Sequence, residues 1–211
     1  MTAGLREQRK RETRQHISDI ATMLFVSHGF EQVTISQVAE AAGVAKMTVT
    51  NYFPRKEDLF FDRAERIERQ LADVIRQRAA GQGWLAAIRQ DYLDRAARAD
   101  VTLGLSTPEF AATVNSSPVL VGRALEMMAN REQALGDAMA AETGTDTPLQ
   151  RMIAAQLAAV HRVLYAEASR RSLAGQPREA ICAVLAAEAE GIFSMLEPVL
   201  GGYGSRPPDT A

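Results

Sequence analysis

The chain has 211 residues, 46% hydrophobic and 24% charged, a size and usage that fit one ordinary domain, or one domain with a small module, and exclude large multi-domain machinery. Its net charge of -2 argues against a nonspecific polyanion binder. The single Cys182 excludes an internal disulfide and, with only His16, His28 and His161 beside it, any recognisable zinc set, and no apolar run reaches the roughly 20 residues of a membrane span. A reduced cytoplasmic setting follows, with no signal-like apolar stretch behind the basic start.

In chain order, Ile17, Ile20, Ala21, Leu24 and Phe25 hold the spacing of one buried helix face over residues 9–28, and Gly29 supplies its stop. Thr34 and Gln37 are spaced as a capping box, and Val33 can staple onto Val38, so a helix starts at Thr34 with Ile35, Val38, Ala39 and Ala42 inward. Gly43 suits a sharp turn, and a second short helix runs from about Ala45 to Tyr52, where Pro54 prevents its continuation. A stripe of Phe60, Ala64, Ile67, Leu71, Val74 and Ile75 predicts one long helix over 56–80, the only element joining the N-terminal module to the rest. Beyond Gly81 and Gly83, helices are expected at about 83–100, 108–115, 118–142, 148–174 and 177–197. Three of these are announced by a hydroxyl before proline, at Thr107, Ser117 and Thr147. The tail 201–211, rich in Gly and Pro, is expected to be disordered. The fold class is all-α: a helix-turn-helix module over 1–56, then a helical body over 57–200.

Charge is unevenly placed. Residues 1–56 carry eight basic against five acidic side chains, so an acidic body bears a basic module, as expected if only that third meets a polyanion. Arg9, Lys10, Arg11 and Arg14 read as either a basic arm on a DNA backbone or minor groove, or a disordered solvated tail. The two short helices with their glycine turn form a helix-turn-helix, whose second helix lies in the major groove. On that helix Lys46 can bond guanine or phosphate, Asn51 can bond adenine bidentately, and Thr48, Thr50 and Tyr52 carry hydroxyls for phosphate or base edges. By pattern alone a merely structural helical hairpin competes with this.

The stretch VTISQVAEAAGVAKMTVTNYFPRKEDLF, Val33 to Phe60, closely resembles the DNA-binding signature of TetR-type regulators. The resemblance covers about the first third of the chain. It implies that Thr34 holds a phosphate through its amide or hydroxyl, that Lys46, Met47, Thr48, Thr50 and Asn51 lie on the reading helix, and that Tyr52 and Lys56 clamp phosphates. Ala45, Met47 and Thr50 depart from the common pattern, where a hydroxyl residue, Gly and Tyr are frequent, so the resemblance implies the fold but not the operator sequence. The resemblance also implies a ligand pocket in the body for a largely apolar small molecule, with Trp84, Tyr92, Phe110, Met127, Met128, His161 and Tyr165 as candidates. Core packing is the competing reading of each.

The resemblance further implies a homodimer through the alanine-rich helices 148–174 and 177–197, reading a pseudo-palindromic double-stranded DNA operator. The expected function is a ligand-released transcriptional repressor without cofactor, metal, catalytic residues or membrane contact. No nucleophile motif, phosphate loop or metal motif argues for an enzyme. A constitutive regulator without inducer and a helical small-molecule carrier are the alternatives.

Overall fold

The computed structural model describes residues 2–205. Ten α-helices occupy them: α1 Thr2–His28, α2 Ile35–Ala41, α3 Lys46–Tyr52, α4 Lys56–Phe60, α5 Ala64–Gln77, α6 Trp84–Ala97, α7 Pro108–Ser116, α8 Pro118–Thr143, α9 Pro148–Leu173 and α10 Arg178–Leu200, with a 3-10 turn at Val101–Leu103. Among the described residues there is no strand, and no helix is long and apolar enough to cross a membrane. The all-α expectation holds.

Hydroxyl caps set the starts of α7, α8 and α9. Thr147 forms a full capping box with Gln150, Thr107 Oγ1 accepts the Phe110 amide at 3.2 Å, and Ser117 Oγ accepts the Leu120 amide at 3.3 Å. Each hydroxyl satisfies one of the amides that a helix start leaves without an internal partner.

The expected helix over 56–80 is broken in two. At Phe61 the backbone departs from helical values, with φ -103° and ψ 57°. The chain therefore leaves α4 at Phe61, turns through Asp62 and Arg63, and restarts as α5. The expected stop near 197 is also passed: α10 runs through Pro198 to the buried Leu200. Proline removes the hydrogen bond to the Ser194 carbonyl, but Ser194 and Pro198 lie on the solvent side, where water replaces it.

Two compact units result. One comprises residues up to Ala64 with Ala112–Arg123; the other comprises Glu65–Ala111 and the chain from Ala124 onward. The chain thus passes between units at 64–65, 111–112 and 123–124, so a single helix is not their only covalent link.

In the larger unit, α6, α9 and α10 enclose a core that includes Leu85, Ile88, Leu157, Leu185 and Phe193. The start of the tail expected to be disordered is built into this unit: the Trp84 amide donates to Tyr203 O at 3.3 Å, and Arg78 Nη2 donates to Gly204 O at 2.7 Å. Residues 206–211, the rest of that expected tail, lie outside the described residues.

Two glycines hold left-handed backbone for different reasons. Gly43, φ +66°, closes the α2–α3 turn with open space where a Cβ would stand; Gly104, φ +95°, would place a Cβ 2.8 Å from Tyr165 O and 3.0 Å from its ring. Gly43→Ala is expected to cost about 1 kcal/mol from backbone strain alone, and Gly104→Ala at least twice that, roughly 2 to 4 kcal/mol, because α9 must also shift. Urea midpoints of the two variants check this; equal losses would contradict it.

Candidate nucleic-acid interface

The N-terminal unit is organised around aromatic side chains. Phe25 meets Phe30 at 4.9 Å and Phe60 at 6.0 Å between ring centroids, and Ile17, Ala21, Val38, Val49 and Leu59 are fully buried. α1 is tied to its neighbours by polar bonds: Ser18 Oγ donates to Leu59 O at 3.0 Å, and the His16 ring lies 3.3 Å from Ala42 O at the end of α2.

At the helix-turn-helix itself, Thr34 caps α2. Its hydroxyl accepts the Gln37 amide at 3.2 Å and donates to Gln37 Oε1 at 2.9 Å, while its own amide donates to the same oxygen at 2.8 Å. Both groups expected to hold phosphate are thus engaged, leaving the first amides of α2 as the free donors. After α2, Gly43 in left-handed backbone lets the Val44 amide reach Ala39 O at 3.0 Å and the Gly43 amide reach Glu40 O at 3.1 Å. These bonds satisfy the last carbonyls of α2 and turn the chain within three residues.

α3 then starts without a side-chain cap, because Ala45 has none to give. Its burial is one-sided: Val49 is fully buried and Phe53 nearly so, whereas Lys46, Met47 and Asn51 are exposed and Thr48, Thr50 and Tyr52 half-buried. Met47, 69% exposed, is an apolar side chain held in solvent on a helix whose core positions are already filled. Thr50 Oγ1 donates back to Met47 O at 3.1 Å, so its hydroxyl is occupied and its methyl is the group left to present.

Lys56, expected as a phosphate clamp, turns inward. Its ammonium donates to Phe30 O and sits 4.3 Å over the Phe30 ring centroid, and burial lowers its pKa despite Glu31 and Glu57 nearby. One of its three donors is spent on Phe30, leaving two.

The basic start of the chain is helical, not an extended arm: Arg6, Arg9, Lys10 and Arg11 are exposed on α1. Arg14 is structural, with its guanidinium 4.2 Å over the Phe53 ring and Nη2 donating to Asp62 O at 3.0 Å. It buttresses the end of α3, a role with no signal in the sequence beyond a basic residue on a helix face.

In the larger unit, the candidate ligand residues divide. Tyr92 and His161 come together, their rings edge to face at 5.2 Å. Burial, and then the charge of Arg131, hold the His161 imidazole neutral with a pKa lowered to about 3. Tyr165 is half-buried, and burial raises its phenol pKa against the opposing pull of Arg131. Trp84 is buried at the start of α6, Met127 is buried, and Phe110 and Met128 are half-buried. Among the described residues no group of three or more His, Cys, Asp or Glu side chains is placed to hold a metal.

Sequence reasoning missed Arg131. It is 2% exposed, with Nε donating to Ile67 O at 3.0 Å. The signal was available, since Met127, Arg131, Leu135 and Met139 recur every four residues as a single buried stripe in which one member is charged.

The family model for bacterial regulatory proteins of the tetR family matches residues 17–62. The regulator AcrR of Shigella flexneri is 35% identical over 68 residues, 32% of this chain and 32% of that protein. TcmR of Streptomyces glaucescens is 32% identical over 85 residues, 40% and 38% respectively. The matched stretch therefore spans about a third of the length of these curated relatives. Among solved structures, Salmonella enterica GusR superposes with a TM-score of 0.50 at 17% identity, covering 87% of this chain and 96% of that one, a likeness of fold. The N-terminal module, over residues 17–62, is thus a helix-turn-helix of the kind found in bacterial regulatory proteins of the tetR family, and the chain shares the helical order of such a fold through most of its length.

Proposed function

We propose that the protein is a sequence-specific DNA-binding transcriptional repressor. It acts as a homodimer on a pseudo-palindromic operator in the cytoplasm and is released by a small, largely apolar ligand bound in the larger unit. The observation that carries this is the one-sided burial of α3, which anchors on Val49 and Phe53 and leaves Lys46, Met47 and Asn51 in solvent. A structural hairpin has no use for that outward face, whereas a groove reader needs it. The named relatives AcrR and TcmR are transcriptional regulators, which argues for regulation rather than catalysis. In a two-fold dimer, two copies of α3 would enter successive major grooves about 34 to 36 Å apart. The exposed Arg6, Arg9, Lys10 and Arg11 add counterion-releasing contacts near the backbone.

Selection from a random duplex pool followed by salt titration tests this. A palindromic site is expected. Asn51→Ala should relax one position per half-site at a cost of about 1 to 3 kcal/mol, while Lys56→Met, which keeps the stem on Phe30, should weaken all sequences alike and flatten the salt slope by about 1 per subunit. Ligand binding is expected to lower operator affinity some 5- to 150-fold. If no site is selected and no duplex binds at low salt, the regulator reading fails and the carrier reading takes its place.

A further inference from the structure

Four polar atoms of the larger unit are buried without a hydrogen-bond partner, Trp84 Nε1 at the start of α6 and three more: Arg131 Nη2, Tyr92 Oη and His161 Nε2. The Tyr92 and His161 rings stand 5.2 Å apart, and the Arg131 charge opposes protonation of His161. Buried polar groups are almost always paired, and a buried charge is the most costly to leave alone. Arg131 spends Nε on Ile67 O. The nearby carboxylate of Asp91 is already held by Gln70 Nε2 at 2.8 Å and Arg95 Nε at 2.8 Å.

The hydrogen-bonding character of each atom follows from its partners. His161 Nδ1 faces Leu157 O at 3.4 Å, and a carbonyl only accepts, so Nδ1 carries the proton and Nε2 presents a lone pair. The Tyr92 phenol can donate or accept. Burial draws Arg131 down only to about 10, so the guanidinium stays charged at neutral pH. The missing complement is therefore an anionic oxygen for Arg131 together with a hydrogen-bond donor for His161. Tyr92 belongs to the apolar core, with the Phe193 ring 6.4 Å from its own.

We propose that this cluster is the recognition point for an organic anion, a carboxylate on an apolar body, with its oxygens on Arg131 and its remaining polar group between Tyr92 and His161. The inference rests on the reading of the larger unit as a ligand-binding body and names the ligand's chemical class. The competing occupant is ordered water, which could bridge the same three atoms.

The full chain is titrated calorimetrically with octanoate and benzoate, with octanamide and benzamide as uncharged counterparts, and with inorganic phosphate, at constant ionic strength. A carboxylate is expected to bind roughly 10- to 100-fold tighter than its amide, as for a charge-assisted hydrogen bond in a desolvated site. Arg131→Met should fold, shown by a cooperative melt, and bind acid and amide equally; Arg131→Lys should retain part of the preference. The proposal is overturned if amides bind as tightly as acids, if none of the acids binds, which leaves water as the occupant, or if Arg131→Met keeps the preference. Phosphate binding as tightly as the carboxylates would overturn the apolar body. Binding to the selected duplex is followed on the same wild-type samples. Loss of anion binding with DNA binding intact removes this inference alone, whereas absence of DNA binding with anion binding intact removes the regulator reading alone.

Discussion

Gly191→Arg is expected to leave the subunit folded, convert the proposed dimer to monomers, and lower operator affinity about a thousandfold. Ala187, Gly191, Met195 and Val199 follow one another every four residues on the exposed side of α10, with Met195 69% and Val199 65% exposed. On α9, Leu149, Met152, Val163 and Leu173 are exposed as well, each by more than two fifths. Large apolar side chains left in solvent on two neighbouring helices mark an interaction surface. The small residues at 187 and 191 would let helix backbones approach closely across a two-fold axis.

The substitution is chosen because it separates folding from assembly. A Cβ at Gly191 meets nothing within 4 Å, and arginine is a better helix former than glycine by almost 1 kcal/mol, so the subunit gains no clash and loses no helicity. In an isologous interface the change occurs twice, placing two guanidinium groups where small surfaces should meet. A lone subunit reads one half-site and falls to the level of nonspecific binding, typically a thousandfold or more below specific affinity. Sedimentation equilibrium and operator titration read the two effects. A variant that stays dimeric, or a monomer with undiminished affinity, would remove this face from the assembly.

How far the sequence specified this molecule depended on whether a residue's task was local. Thr34, Thr107, Ser117 and Thr147 were legible because a cap is settled within four residues, and Gly43 because a positive φ is settled by one. The break after Phe60 was not: the periodic stripe continues into α5, and nothing in that spacing marks the non-helical backbone at Phe61. Lys56 reads as a surface cation in any pattern, yet an aromatic ring and a carbonyl from the Phe30 loop draw it inward. Of the body candidates, Tyr92 and His161 meet. Arg131, which completes their surroundings, is charged, and a search for apolar bulk passes over it.

The other large effect concerns stability. Glu142→Ala is expected to cost about 3 kcal/mol, because it strips the carboxylate from a guanidinium that has no route to water. Arg78 has a side chain 1% exposed; its Nη1 donates to Ile75 O at 2.6 Å and Glu142 Oε2 at 2.6 Å, its Nη2 to Glu142 Oε1 and to Gly204 O at 2.7 Å, and its Nε to Gln82 O at 2.9 Å. The carbonyls of Ile75, Gln82 and Gly204 would then share the task of holding the charge without that carboxylate. Glu142 itself is 28% exposed, so water entering beside the truncated residue recovers part of the loss, which keeps the value at the low end for a buried pair. For a chain of this length the melting temperature should fall by roughly 6 to 12 °C. Because the pair is largely desolvated, the loss should persist in 1 M salt, unlike that from breaking the Arg151–Asp146 bridge, whose side chains are 35% and 55% exposed. Replacing both partners, Arg78→Met with Glu142→Met, removes the stranded charge and should cost no more than Glu142→Ala alone. A double variant markedly worse than the single would show that Arg78 stabilises the unit through the Ile75, Gln82 and Gly204 carbonyls rather than through its charge pair.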